Sequence, residues 1–358
     1  MKILVVGDWH SKLHEEVVYH AFKKLGHEVL AFSWHPYFLA KSKYLKWFFY
    51  IINRAQYKYL WGPIVRKLNK DLIDFVERNK PEIVFVYRGT HILPATLRKI
   101  KENNVILVGY NNDDPFSPHY PHWPWRHFLK GIPEYDLMLA YRHHNIQDFQ
   151  QAGAKRVELL RSWFVPEYNY PVELTAEEKK KFECDVVFIG HYENDGREQY
   201  LEYIIRQGIN FKIFGPLHDW DYITTHNPVF KPYHPIVPVR GDDYNKALNG
   251  AKIALCFLSK LNRDTYTRRC FEIPASKTFM LSEYTDDLAN LYKEGVEIEF
   301  FKPPDEMLTK INHYLSDLSV INSLAEAGFK RVYKDRHDVM SRMSKMLESV
   351  KELQGTIK

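Results

Sequence analysis

The 358-residue chain lacks any run of eighteen apolar residues, so no membrane-spanning helix is expected. It has only three cysteines, Cys184, Cys256 and Cys270, scattered and odd in number. Neither a C-x-x-C pair nor a Cys/His zinc spacing occurs, which argues against a disulfide framework or a zinc site and for a reduced, cytoplasmic setting. G-x-G-x-x-G is absent too, which weakens a dinucleotide-binding reading. The chain enters an apolar strand at once, with no leader pattern. No short-period repeat and no low-complexity tract is found. Excess charge is small, +5 with a pI near 8.7, which suits an anionic ligand or surface but is too weak to imply nucleic acid.

What is present reads as globular: 45% hydrophobic and 27% charged residues, in a length that suits two α/β domains. Aromatics reach 15%, more than a core needs, as on surfaces that handle sugars. Residues 2–7 form an apolar run ending in Gly7, expected as a buried parallel strand. A loop, a helix over 13–25 and a second strand after Gly26 complete a doubly wound start. Asp8 and His10 then stand at a strand's carboxyl end, where open α/β sheets bind ligands. They are candidates for an acceptor-side role or a catalytic base, with Asp8 as a plain helix cap the other reading.

Residues 41–70 carry eight basic residues and no acid, interleaved with Trp47, Phe48, Phe49, Tyr50, Tyr57, Tyr59 and Trp61. That mixture suits an anionic membrane surface. It equally suits an acceptor groove, or a helix with its aromatics inward and its charges in water. Strands are expected at 81–87 and 105–110, and the second runs into a polar, proline-rich loop over 111–127. Asp113, Asp114 and His119 in that loop are candidates for acceptor contact, Asp113 and Asp114 also for a catalytic base, with a turn role for Asp114 before Pro115 the alternative. The adjacent Asp113–Asp114 lacks the spacing of a metal-binding D-x-D. His119, His122 and His127 lack a spacing that would converge on a metal, and none is expected.

A proline-rich linker with a charge run follows the last strand of this half. It places a first domain at 1–167, a second at 168–335 and a helical tail at 336–358. The second half repeats the plan of strand, glycine, loop and helix. Gly190 would let a phosphate approach the backbone. Arg197 would bind that phosphate or stand in solvent. Gly215 ends the next strand, and Trp220 and Tyr222 beyond it are candidates to stack on a base. The most informative stretch is 262–281, NRDTYTRRCFEIPASKTFML. Thr265 to Thr267 are expected to cap a helix over 268–276. Its amino-terminal dipole, Thr267, Arg268 and Arg269 should attract a phosphate. Glu272 should face hydroxyls such as those of a ribose, and Asp264 lies eight residues before it. A phosphate flanked by two hydroxyl-binding acids describes a nucleotide sugar.

Asp264-x7-Glu272, with R-C-F-E, P-A-S and the strand F-M-L, resembles the sugar-donor site of GT-B glycosyltransferases. More closely it resembles the family of the spore maturation protein CgeB. YRGTHI and NNDDP in the first half, and VEIEFF in the second, are similar to passages of that family. The resemblance implies two Rossmann-like doubly wound domains facing across a cleft, with no metal or other cofactor. It implies transfer of a sugar from a nucleotide to an acceptor hydroxyl, the acceptor itself unidentified. It also implies roles for Gly190, Arg197, Arg269 and Glu272 in holding the sugar donor. Lys277 stands where GT-B proteins usually have glycine, and Asp264 where glutamate is commoner. The first would add charge near the sugar donor. It keeps open a binding protein without turnover, beside an epimerase acting on the nucleotide sugar.

Overall fold

The computed structural model describes residues 1–39 and 46–357, with the side chains of 40–49 and 356–358 outside the description. Trp47, Phe48 and Phe49 therefore lie outside the described side chains. The chain divides into two compact units, one of Met1–Arg161 with Val339–Lys358, the other Ser162–Asp338. The sequence alone divides it at 167/168 and 335/336.

Unit 1 holds a six-stranded, wholly parallel sheet. Its strands are β1 (Lys2–Gly7), β2 (Glu28–Ser33), β3 (Ile83–Tyr87), β4 (Ile106–Asn111), β5 (Leu137–Ala140) and β6 (Val157–Leu159). Their order is β2-β1-β3-β4-β5-β6. β3 and β4 are buried along their whole length, as expected of strands covered by helices on both faces. Because β2 lies on one side of β1 and β3 on the other, the order in which strands are added reverses between β1 and β3. Ligands of open α/β sheets bind at such a point. The last helix, Val339–Ile357, packs on Val17–Lys24, and Arg156 Nη2 reaches Glu352 at 2.6 Å.

Unit 2 repeats the scheme with five parallel strands. These are β7 (Cys184–Ile189), β8 (Phe211–Phe214), β9 (Ala251–Cys256), β10 (Phe279–Glu283) and β11 (Glu299–Phe301), in the order β11-β10-β9-β7-β8. Here the switch falls between β7 and β9. The helix Arg269–Ala275 follows the loop after β9, and the helix Leu318–Lys334 packs across it. Gly328 lets the long helix lie close against the segment ahead of β11. A Cβ there would sit 2.6 Å from the Glu297 carbonyl oxygen, a backbone atom that cannot swing aside.

Gly328→Ala is expected to lower unfolding stability by about 1–3 kcal/mol, the cost of overpacking a tight contact. Chemical denaturation monitored by circular dichroism measures it. An unchanged midpoint would show that this contact does not seat the long helix.

Candidate functional site

The unit 2 switch point is closed by one side chain. Arg269 Nη1 donates to the Ile189 carbonyl at the end of β7, at 3.1 Å. Its Nη2 donates to the Phe257 carbonyl just past β9, at 3.2 Å. Nε is buried without a hydrogen-bond partner. Among the described residues no carboxylate lies within ion-pair distance of this guanidinium. Its direct partners are backbone carbonyls, with Glu272 acting on its charge only from beyond ion-pair distance, so an anion brought to this partly exposed side chain would be attracted.

The glycines serve this arginine. A Cβ on Gly190 would stand 2.5 Å from Arg269 Nη1, so the glycine admits the guanidinium. A Cβ on Gly215 would stand 2.3 Å from the Gly190 carbonyl oxygen and 2.4 Å from Trp220 Nε1. That indole N–H donates to the Gly190 carbonyl at 3.0 Å. Trp220 is fully buried against Phe188 and Tyr192. The expectation that it stacks on a base is therefore corrected: its ring is core and its N–H holds the loop. Tyr222 is exposed, stacked on His226.

Arg197 is buried, and its guanidinium is engaged within its own loop. It chelates Asp195, Nε to Oδ1 at 2.8 Å and Nη2 to Oδ2 at 2.6 Å, and Nη1 donates to the His191 carbonyl. It is neither a solvated helix residue nor an open phosphate ligand; it shapes the loop after β7. Ser259 Oγ donates to Glu193 in that loop at 2.8 Å, which ties together the loops on either side of the switch point.

The helix begins one residue later than expected, and its N-cap position is Arg268, without a side-chain cap bond. Thr265 lies ahead of the N-cap position and does not cap the helix; its hydroxyl donates to Asp287 at 2.6 Å. The Thr267 N–H meets Cys270 Sγ at 3.5 Å. Arg268, half-buried, places its guanidinium 5.9 Å from the Trp163 ring centre. Asp264, half-buried in the loop, is fixed through its N–H to the Ser259 carbonyl at 2.8 Å. Glu272, three residues after Arg269, is buried and accepts a 2.7 Å bond from the Tyr244 hydroxyl. Burial pushes its carboxyl up, against the opposing pull of Arg268, the Tyr244 bond and Arg269. Tyr244 was not anticipated. Its one signal is its place in the helix Asp242–Asn249, ahead of β9.

Unit 1 carries a second constellation at its own switch point. Asp8 is buried at the end of β1, and its Oδ1 accepts both the backbone N–H and the Nδ1–H of His10, each at 3.0 Å. Trp9 between them adopts a left-handed φ of 59°, which turns the chain back on Asp8. Burial pushes the Asp8 carboxyl up, but the His10 bonds and the charges of His10 and Arg88 outweigh it and hold it below the ordinary value. An ionised Asp8 accepts only, so it fixes the proton of a neutral His10 on Nδ1 and leaves Nε2 as the base. The His10 side chain is 54% exposed, which makes that nitrogen reachable.

Arg88, left-handed at φ 67°, pairs with Asp113 from the loop after β4. Asp114 is not in this group. It is fully buried, and its Oδ1 accepts from the Phe116 N–H at 3.1 Å and from the Asn145 amide at 3.0 Å, the turn role rather than acceptor contact. Asp114, His144 and Asp148 are the one group of three described side chains whose ligand atoms all lie within 4.8 Å. The Asn145 amide already donates to both aspartates, and neither Asp113 nor His119, His122 or His127 joins them.

Glu15 was also missed. It sits on a π-helical turn, Lys12–Glu16, fully buried. Its Oε1 accepts from the Asp8 N–H at 3.1 Å, and its Oε2 has no partner. Burial, reinforced by the charge of Asp8, pushes its carboxyl up to about 7. The turn itself reads K-L-H-E-E, and nothing in that polar run marks Glu15 as the residue that points inward.

With this geometry established, comparison places the chain among known structures. Residues 197–348 match the model of a family described as glycosyl transferase-like. No curated protein matches by sequence. The sucrose-phosphate synthase of Thermosynechococcus elongatus superposes with a TM-score of 0.70 at 9% identity, covering 99% of this chain and 100% of that one. HepE of Anabaena, solved with UDP and glucose, gives 0.66 at 13% identity, over 98% and 100%. A glycosyltransferase of Rickettsia africae gives 0.69 at 12%, over 99% and 98%. The chain has the GT-B fold.

Lys277 lies just past the site helix with a φ of 58°, a left-handed position that favours glycine. The lysine directs Nζ to Glu326 on the helix Leu318–Lys334, at 2.6 Å. Its charge is thereby paired on that helix, which corrects the expectation of added charge beside the sugar donor.

Glu15 gives a pH test. The native state holds its proton up to about 7, while an unfolded chain releases it near 4.5. Stability should therefore fall as pH rises through that window, by about 3 kcal/mol from this group. Glu15→Gln should abolish that part of the slope. Urea unfolding at pH 4.5, 6 and 7.5 measures it, and parallel profiles for the two proteins would contradict a buried, proton-holding Glu15.

Proposed function

We propose that the protein is a metal-independent glycosyltransferase, CgeB-like in kind, that moves a sugar from a nucleotide to an acceptor hydroxyl. The observation that carries this reading is the Arg269 guanidinium, bridging two strand ends at the switch point with no carboxylate partner and with Glu272 one turn along. In this reading unit 2 holds the nucleotide sugar and unit 1 the acceptor. Arg269 and Arg268, with the N–H groups of the helix start, offset charge on the departing diphosphate. Glu272 accepts from ribose hydroxyls, its free lone pairs oriented by the Tyr244 bond. Asp264 lies toward the sugar or its phosphate. Arg197, Gly190, Gly215 and Thr267 act through the loops they shape.

The acceptor oxygen attacks the anomeric carbon, the bond from that carbon to the diphosphate oxygen breaks, and the acceptor proton passes to His10 Nε2. Asp8 holds the resulting imidazolium, and Asp113 positions Arg88 beside the pair. The UDP and UDP-glucose bound by HepE support a nucleotide sugar here as well. A cytoplasmic location at an anionic membrane surface, met through residues 41–70, belongs to the same proposal. Among the described residues no helix is long and apolar enough to cross a membrane.

Incubation with a panel of nucleotide sugars, beginning with UDP-glucose, is expected to release free nucleotide slowly without acceptor. Binding with no release under any condition would favour a protein without turnover, and an altered sugar nucleotide without acceptor would favour an epimerase. Glu272→Ala is expected to weaken UDP binding by more than about 1 kcal/mol, the scale of a charged hydrogen bond. Isothermal calorimetry on the folded variant measures this, and unchanged affinity removes the ribose role. His10→Ala should lower kcat roughly 10²–10⁴-fold, as loss of a general base does, and leave KM for the nucleotide sugar near its starting value.

A further inference from the structure

The residues from Tyr50 to Arg66 expose an unusual surface. Tyr50, Ile51, Tyr59 and Trp61 are 51%, 46%, 56% and 67% exposed, and Trp123 joins them with its ring 5.8 Å from that of Tyr59. Three cations lie over these rings. Arg54 stands 5.8 Å from the Tyr50 ring and donates to its hydroxyl at 3.0 Å. Lys58 stands 5.5 Å from the Tyr59 ring and Arg66 5.9 Å from the Trp61 ring. Among the described residues none of the three meets a carboxylate, whereas the neighbouring Lys67 and Lys70 pair with Asp71 and Asp74. Large apolar groups in water are costly to display together, and unpaired cations beside them repel one another. Both costs vanish where aromatic rings enter a headgroup layer and the cations meet anionic phosphates.

The place of this surface in unit 1 adds the second half. Its helix, Lys46–Tyr59, ends against the loop after β3: His91 Nε2 donates to the Tyr57 carbonyl at 3.3 Å, and the two rings lie 4.7 Å apart. His91 is three residues beyond Arg88, which pairs with Asp113 and whose charge acts on Asp8. Arg126 and His127 hold the Tyr59 and Leu60 carbonyls from the other side. The aromatic–cation face is thus anchored at the same end of the sheet as His10.

We infer that unit 1 docks on an anionic bilayer through this face, and that the acceptor hydroxyl presented to His10 is carried by a membrane lipid. The acceptor half rests on the function proposed above; the docking half deepens the membrane surface named there and is carried by the exposed rings and unpaired cations. A lipid substrate explains why a face so poorly suited to water adjoins the acceptor residues.

Co-sedimentation of the full chain with vesicles tests it, using phosphatidylcholine alone and phosphatidylcholine mixed with phosphatidylglycerol. Binding is expected to the mixed vesicles and to weaken in high salt. Arg54→Gln, Lys58→Gln and Arg66→Gln together should weaken it roughly a hundredfold, at about fivefold per cation. The triple change of Tyr50, Ile51 and Trp61 to Ser should abolish it. Failure of the parent to bind mixed vesicles, or indifference to both triple variants, overturns docking. Transfer that saturates on a water-soluble acceptor and ignores added vesicles overturns the lipid acceptor. UDP binding by calorimetry in the same samples reports folding and separates the two readings. Loss of vesicle binding with UDP binding intact sinks this inference alone. Vesicle binding without UDP binding sinks the proposed function and the acceptor half with it.

Discussion

A guanidinium held by two carbonyl oxygens is the contact on which unit 2 turns. Arg269 spans the ends of β7 and β9, the paired neighbours at which strand order reverses. Each charge-assisted bond is worth about 1.5–3 kcal/mol, and removing the charge from water costs several. The two nearly cancel, so the arrangement is a poor way to gain stability. It is a good way to store an attraction for an anion. A diphosphate at this partly exposed side chain would supply the counter-charge that no carboxylate supplies at ion-pair distance. The requirement then spreads outward: Gly190 must lack a side chain to admit the guanidinium, and Gly215 must lack one because the Gly190 carbonyl and the Trp220 indole fill its place.

The helix that carries Arg269 is short, seven residues, with no side-chain cap and a proline inside it. Intrinsic propensity does not hold so short a helix. Packing does: Cys270, Phe271, Ile273 and Ala275 are buried, Gly328 lets the long helix approach, and the Tyr292 hydroxyl donates to the Cys270 carbonyl at 2.8 Å. Lys277 ends it in a backbone state that costs a lysine about 1 kcal/mol relative to glycine. The Glu326 pair returns part of that. The site helix is therefore rigid because its surroundings are, which suits a group that must not reorganise when charge develops beside it.

The parallel strands were legible because each is a short apolar run ending near glycine or a polar loop, a pattern local in sequence. That Arg269 and Glu272 stand together was legible for the same reason, being one turn apart in a single stretch. Misreadings came where the deciding partner is distant. Trp220 looked like a stacking surface until Gly215 and Gly190 were seen to enclose it. Arg197 is the exception, since the partner that engages it, Asp195, is two residues away. Thr265 looked like a cap, but Asp287 takes its hydroxyl. Glu15 was invisible because an acid in a helix reads as solvated; only the glycine at position 7, whose missing Cβ would lie 2.2 Å from Glu15 Oε1, reveals that it points inward.

The two switch points share a topology and differ in chemistry. At β7/β9 the sheet gathers a permanent positive charge that no pH near neutrality removes, the right property for holding a leaving diphosphate. At β1/β3 it gathers groups that exchange protons: His10 on an ionised Asp8, with Glu15 holding its own proton beneath them. Were Glu15 ionised as well, two carboxylates would share the Asp8 turn and Arg88 would have three acids to answer. With its carboxyl raised, Glu15 opposes the charge on Asp8 less than an ordinary carboxylate would, and Asp8 orients the imidazole. In the reading proposed above, charge binding and proton transfer would thus occupy equivalent positions of two similar sheets, and at each a glycine by the first strand's end admits a side chain: Gly190 that of Arg269, Gly7 that of Glu15.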